Sequence, residues 1–339
     1  MEERDNPEGF PWGANSPTRR QRLRFAVLIA LISSGLVWLH VVRFHQERTD
    51  FSQALFGARA LISHADPYKL VGPGLVYDSK WPLMYPATTY VAAIPFAVMP
   101  DRFASVIFIA LSSFALAYGI TARSWHLLPM FASVAYLTSV QLAQWSILIT
   151  SILFVPWLAA FAAAKPQAAL PVLLSSPNSV SVKAATIGAA LLLAASLVLL
   201  PGWPIEWMNL IRGAQQFRAP VARLGGICIA LVLIRWRRPE AWLVFLMALV
   251  PQSWAWYNVL TLLAIPATYR EACVLSVVSS VGAIAAAYFA VGKSPAEFDA
   301  VWGGAMVAFA YLPATITVLR RPNVGGSGIF RPLPNKRSE

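Results

Sequence analysis

The stretch RRQRLRFAVLIALISSGLVWLHVV, residues 19–42, decides the fold class. Four arginines, Arg19, Arg20, Arg22 and Arg24, run into an apolar segment, Phe25–Val42, long enough to cross a bilayer. A basic-then-apolar order also marks a secretory leader. A leader ends in small residues at a cleavage site, however, and Val42 is followed by Arg43 and His45. The segment therefore reads as a first transmembrane helix that starts in the cytoplasm, with its arginines held on that side. Residues 1–22, polar and broken by Pro7, Pro11, Gly13 and Pro17, read as a disordered cytoplasmic tail.

Working outward, the same pattern recurs. Tyr85–Met99, Phe103–Ile120, Val182–Leu200, Leu224–Ile234, Ala241–Val250, Val259–Tyr269, Ala272–Val291 and Val301–Leu319 are apolar runs bounded by polar or basic residues. Leu127–Leu174 is apolar too, but Gln141, Gln144, Pro156, Lys165, Pro166 and Pro171 interrupt it, which predicts short or broken helices. At ~20 residues per crossing the expectation is an all-α, polytopic transmembrane helix bundle of about ten spans. It occupies residues 23–319 and is followed by a disordered basic tail, 320–339. Pro201–Arg223, carrying Trp203, Trp207, Arg212 and Arg218, reads as interfacial. Composition agrees. Of 339 residues 58% are hydrophobic and 12% charged, where a soluble domain carries about 25% charge. Mean hydropathy is +0.59. A soluble enzyme, a disordered chain and a nucleic-acid-binding domain are excluded, since a water-soluble core of this size cannot hide so much apolar surface. The net charge of +12 comes from arginines at span ends, such as Arg235–Arg238 and Arg320–Arg321, which set topology and meet anionic lipid. Against a clean charge rule, the loop Arg43–Pro82 carries five Lys or Arg of its own.

That loop, expected on the outer side, holds the candidate chemistry. Phe51, Leu55, Ala58 and Ile62 recur every three or four residues, which predicts an amphipathic helix lying in the membrane interface. Asp50 is expected at its N-cap with Gln53 three residues on, and the helix ends near His64, before the turn Ala65-Asp66-Pro67-Tyr68. Glu47, Asp50, Asp66 and Asp78 gather in this loop, whereas no span carries an acid near its middle. Such a distribution favours chemistry at the membrane surface over an ion path through it. Asp50 is either a helix cap or a general base. Asp66 reads as turn closure. Tyr68, Trp81, Tyr85 and Trp203 are interfacial anchors or a stacking surface for a sugar. Lys165, inside an apolar stretch, needs a partner, because an unpaired charge there is costly.

Asp50-Phe51, Ala54, Ala58, Ala60-Leu61, Asp66-Pro67-Tyr68 and Tyr85-Pro86, in that order, resemble the start of glycosyltransferase family 87. These are polytopic membrane enzymes of the GT-C class that use polyprenyl-phosphate-linked mannose or a related sugar. Gln144 and the apolar run after it are similar to the family's Gly-Gln element, with Ala143 in place of the glycine. Lys165-Pro166-Gln167 is similar to its Lys-Pro element. Pro251-Gln252-Ser253-Trp254 through Tyr257 is similar to its Ser-Trp-(two residues)-Tyr element, followed by Pro266. Trp256 stands where many members have histidine, and Ala87 where many have a second proline. The resemblance runs from about Phe25 to Leu319 and implies a GT-C-like fold in the cytoplasmic membrane with its site on the outer face. It implies inverting transfer from a polyprenyl-phosphate sugar, mannose in the first instance, to a glycolipid or envelope glycan, with Asp50 as general base. The donor phosphate then needs a cation, for which Lys165, Arg218, Arg223, Arg59 and His64 are candidates. Asp66, Tyr68, Tyr85, Gln144, Ser253, Trp254 and Tyr257 would line the acceptor or sugar. No cofactor, no metal and no nucleic acid is expected. One other function stays open, a non-catalytic polyprenyl-phosphate-binding or translocating protein on the same scaffold; a small-solute transporter ranks last, because it predicts intramembrane ionisable residues or an internal repeat and the sequence shows neither.

Overall fold

The computed structural model of the chain describes residues 17–43, 49–78, 83–122, 125–212, 218–253 and 255–330. Helix dominates. In chain order the α-helices are α1 (Arg19–Arg43), α2 (Asp50–Ile62), α3 (Pro67–Leu70), α4 (Ala87–Ala93), α5 (Asp101–Ile120), α6 (Val134–Gln141) and α7 (Ser146–Ser151). They continue as α8 (Pro166–Ser175), α9 (Ser179–Leu199), α10 (Trp203–Arg212), α11 (Pro239–Leu249), α12 (Tyr269–Phe289), α13 (Pro295–Met306) and α14 (Leu312–Leu319). A π-helical turn, Val307–Tyr311, joins the last two. Among the described residues the only sheet is a two-residue parallel pairing of Val71–Gly72 with Tyr77–Asp78.

Five helical runs are long and apolar enough to cross a membrane: α1, α5, α9, α12 and Ala296–Leu319. Their outer faces are apolar as well. Leu31 and Leu39 on α1, Leu191 and Val198 on α9, and Val281 and Ile284 on α12 are all exposed. A chain that buries serines and threonines while exposing leucines in rows is solvated by lipid. The molecule is an all-α membrane protein.

The other expected spans are shorter, for local reasons. Tyr85–Met99 is divided: Pro86 precedes α4, and Pro95 sits in a 3₁₀ turn, Ile94–Phe96. Leu224–Ile234 largely coincides with a 3₁₀ segment, Gly226–Arg235, and the first six residues of Val259–Tyr269 end another, Trp256–Ala264, after which the run is non-helical up to Tyr269. At about 2 Å rise per residue such a segment advances about 20 Å, short of the ~30 Å hydrocarbon core. Leu127–Leu174 is broken as expected, into α6, α7, a 3₁₀ segment Pro156–Ala164 and most of α8.

Three expectations are corrected. The helix after Asp50 is not laid on a membrane surface: Phe51, Ala54, Leu55, Phe56, Gly57, Ala58, Ala60 and Leu61 are all buried in protein. Its small residues admit neighbours. A Cβ on Gly57 would lie 2.6 Å from the Tyr90 ring, and Phe51 stacks on Phe108 of α5 at 4.1 Å. The first helix begins at Arg19, inside the tail expected through residue 22. The chain after Arg320 is anchored as far as Phe330, because Arg321 reaches Glu240 (3.2 Å) and Glu271 (2.5 Å) and Phe330 is buried. The rest of both tails lies outside the described residues.

The bundle has two chemically distinct ends. Arg22 of α1 donates to the Tyr118 carbonyl near the end of α5 (3.0 Å), while Trp38, late in α1, packs on Phe103 near the start of α5 with ring centroids 5.7 Å apart, and Thr49, before α2, meets Ser105 there (2.9 Å). The two helices are therefore antiparallel. At the arginine-rich end Arg235 donates to the Leu319 carbonyl (2.9 Å), Arg238 to that of Pro322 (2.7 Å) and to Glu240 (2.6 Å). His126, just past α5, meets the Pro266 carbonyl (3.2 Å) there. At the opposite end Arg59 pairs with Asp101, Trp207 of α10 donates to the Met84 carbonyl (2.9 Å), and Arg223 pairs with Asp299.

Candidate functional site

Thr49 is the N-cap of α2, with extended backbone, and its N–H donates to Ser52 Oγ (3.0 Å). Asp50, expected as the cap, is thus the first helical residue, one place inside the observed cap, and its carboxylate is not spent on capping. Its backbone N–H donates to the Leu142 carbonyl (2.9 Å). This fixes the start of α2 against the chain reversal between α6 and α7. At that reversal Ala143 takes φ of 49°, the left-handed region that costs a non-glycine about 1 kcal/mol. The turn aims the next side chain, Gln144, back at Asp50. Gln144 is fully buried; its Nε2 donates to Asp50 Oδ2, and its Oε1 accepts from Lys165 Nζ (3.0 Å). Lys165 stands at the break between the Pro156–Ala164 segment and α8. Thr88 and Thr89 of α4 pin that break by donating to the carbonyls of Ala163 (2.6 Å) and Ala164 (2.5 Å).

Two tyrosines close the arrangement. The Lys165 ammonium sits over the Tyr257 ring, 4.9 Å from its centroid. Tyr85 is buried against Gln144, within the field of Asp50. Its carbonyl accepts from the hydroxyls of Tyr68 (3.1 Å) and Tyr90 (2.6 Å). Burial pushes the Asp50 carboxyl up to about 6, against the opposing pull of the Lys165 charge and the Gln144 amide. Burial likewise pulls Lys165, which lies outside the five long helices, down to about 8, and Asp50 resists that shift. A carboxylate with such a proton affinity is a competent base near neutrality. A lysine held beside it can take an anionic group.

The other expected site residues do something else. Arg59 is committed to Asp101 (2.5 Å) and to the carbonyls of Ala97 (3.0 Å) and Met99 (2.6 Å), so it locks α2 onto the turn before α5. His64 is exposed beyond the far end of α2, about 20 Å along the helix axis from Asp50. Asp66 caps α3, accepting from the Tyr68 N–H (3.0 Å) and pairing with Lys69 (2.9 Å). Arg223 is held by Asp299 through two nitrogens, each 3.2 Å from Oδ1. The exposed Arg218 meets Gln252 through its backbone. Of the five candidate phosphate cations only Lys165 joins Asp50: Arg59 and Arg223 are consumed by acids and carbonyls elsewhere, and the exposed His64 and Arg218 are not brought to it. Ser253 binds the Asn258 amide (3.2 Å to Oγ) beside Tyr257. Trp81 and Trp254 lie outside the described residues.

Beside the site a cavity of about 210 Å³ is lined mainly by apolar groups, among them Val134, Leu142, Trp256, Tyr257, Ile284 and Trp302. Leu142 and Tyr257 belong to both. Among the described residues no cluster of three or more His, Cys, Asp or Glu gathers. Three features were not found from sequence: the Thr49 cap, the Tyr90 hydroxyl, and the buried Glu240–Arg238–Arg321–Glu271 network at the other end. Thr49 carried a usable signal, a threonine three residues before Ser52. Compared with protein-family models, curated proteins and solved structures, the chain matches none.

Proposed function

We propose that this chain is a membrane glycosyltransferase on a GT-C-like scaffold of about ten crossings, counting short and broken helices as shallow or partial spans. It moves a sugar, mannose in the first instance, from a polyprenyl-phosphate carrier to a glycolipid or envelope glycan at the outer face of the cytoplasmic membrane. The observation that carries this reading is the convergence of Asp50, Gln144 and Lys165, from three separated parts of the chain, at the end opposite the arginines. In the reaction the acceptor hydroxyl gives its proton to the Asp50 carboxylate as its oxygen attacks the anomeric carbon. The bond from that carbon to the phosphate oxygen breaks with inversion, and the lipid phosphate leaves with its added charge facing Lys165. The apolar cavity at Leu142 and Tyr257 offers the lipid an unhydrated flank.

One observation favours the alternative, a non-catalytic binder of polyprenyl phosphate. Trp256, before Tyr257, is buried with no acceptor for its indole N–H among the described residues. An indole moves no proton. Membranes holding the native chain or Asp50→Asn, given labelled polyprenyl-phosphate-mannose, separate the two. Transfer by the native chain alone supports the enzyme. Binding without turnover in both supports the carrier protein, and equal transfer by both removes Asp50 as base.

A further inference from the structure

The bridge between Asp50 and Lys165 has one allowed orientation. An ammonium only donates, so the atom of Gln144 facing Lys165 must be its carbonyl oxygen, and the amide nitrogen must then face Asp50. The Gln144 backbone is equally fixed. Its N–H donates to the Ser139 carbonyl (2.8 Å), the left-handed Ala143 precedes it, and the side chain is sealed from the surface. Without the amide, two opposite charges in a poorly solvated site would close on each other. A direct pair would consume the base and the cation together.

We infer that Gln144 is a positioning residue, a rigid spacer that keeps Asp50 and Lys165 as two separately usable charges. Among the described residues nothing bonds Asp50 Oδ1, and the aspartate is only half-buried. Lys165 has one N–H on Gln144 and a ring face below it, which leaves a donor for a second ligand. The spaced pair therefore meets a molecule presenting a hydroxyl to the acid and an anionic oxygen to the lysine. A closed pair meets neither.

The inference rests on the proposed transferase for what the charges do, but its test reads the charges themselves. The full chain, purified in lipid nanodiscs, is titrated while the infrared band of the Asp50 carboxyl is followed, assigned by its loss in Asp50→Asn. The other titratable groups facing Asp50 are Lys165, Tyr85 and Tyr257. Both tyrosines stay neutral through the range, because phenols titrate near 10 and burial raises them. In Gln144→Ala the Asp50 midpoint falls by about one unit or more as Lys165 closes on the carboxylate. In the double variant Gln144→Ala with Lys165→Met that fall disappears. If Gln144 gave only a stabilising hydrogen bond, its loss would move the midpoint up, so a rise or no change overturns the spacer. Should Gln144→Ala fail to fold, Gln144→Asn keeps the amide on a side chain too short to span the gap, and the midpoint again falls; no fall overturns the inference there as well. A native chain with no transfer but the expected fall sinks the transferase and leaves the spacer. Transfer without the fall does the reverse.

Discussion

Asp50 occupies a position that suits any acid, the first turn of a helix, where the backbone dipole favours negative charge. A half-buried setting and the lysine one amide away are what distinguish it. Removing the charge while keeping the shape, as in Asp50→Asn, is expected to cost about a thousandfold in transfer with little change in thermal stability, the range set by loss of a general base. Measuring kcat/KM against pH tests the same pair. The base works only deprotonated, so the rate rises with pH through about 6. Lys165 works only protonated, so the rate falls through about 8. Both limbs belong to the coupled pair, and Lys165→Met flattens the alkaline one. An acid limb near 4 would mean that Asp50 is solvated during turnover. Asp50, Gln144 and Lys165 were legible in the sequence as residue types: an acid in the loop where acids gather, a glutamine and a lysine out of place in an apolar stretch. Their bonding was not, since Gln144 lies 94 residues from Asp50 and 21 from Lys165. The cap was placed one residue late because Thr49 and Asp50 are both good caps, and only backbone geometry separates them.

Helix α2 carries Asp50 at one end and is clamped near the other by Arg59. The Arg59–Asp101 pair is about a quarter exposed on each side chain, so solvent screening holds its worth to about 1 kcal/mol or less. Arg59→Ala should therefore lower the unfolding midpoint slightly but reduce transfer several-fold, because a loosened α2 misplaces the base. Equal small effects on both would show that α2 is held elsewhere. Gly303 of α13 gives the opposite pattern. A Cβ there would stand 1.7 Å from Arg223 Nη1. Gly303→Ala therefore displaces the end of the buried Arg223 side chain and weakens its pair with Asp299, at a cost on the order of 1–3 kcal/mol. Thermal unfolding in detergent should show that loss, and an unchanged midpoint would mean Arg223 has another seat. At this scale the long helices were legible because each is one unbroken apolar run. The short ones were not. Pro86, Pro95 and Pro156 each open or interrupt a helix, and an apolar run of ten residues does not tell a 3₁₀ segment from an α-helix.

The whole molecule is polarised, and this lessens the objection raised by the charges of the first loop. Lys69 is paired with Asp66 and Arg59 with Asp101, so two of the loop's cations are neutralised in place. At the other end Arg19, Arg20, Arg24, Arg237, Arg270 and Arg320 are exposed, while the acids there, Glu240 and Glu271, are taken by Arg238 and Arg321. The proposed orientation follows the positive-inside rule, with that end in the cytoplasm and Asp50 outside. The orientation can be read directly. With Cys228 and Cys273 changed to serine, a single cysteine replaces either exposed His64, at the Asp50 end, or exposed Arg237, at the other. A membrane-impermeant maleimide on intact cells should label the first alone, and the second only after permeabilisation. The reverse pattern would put the carboxylate in the cytosol and end the case for transfer on the outer face. Labelling of both from one side would deny that the bundle has two ends across a bilayer.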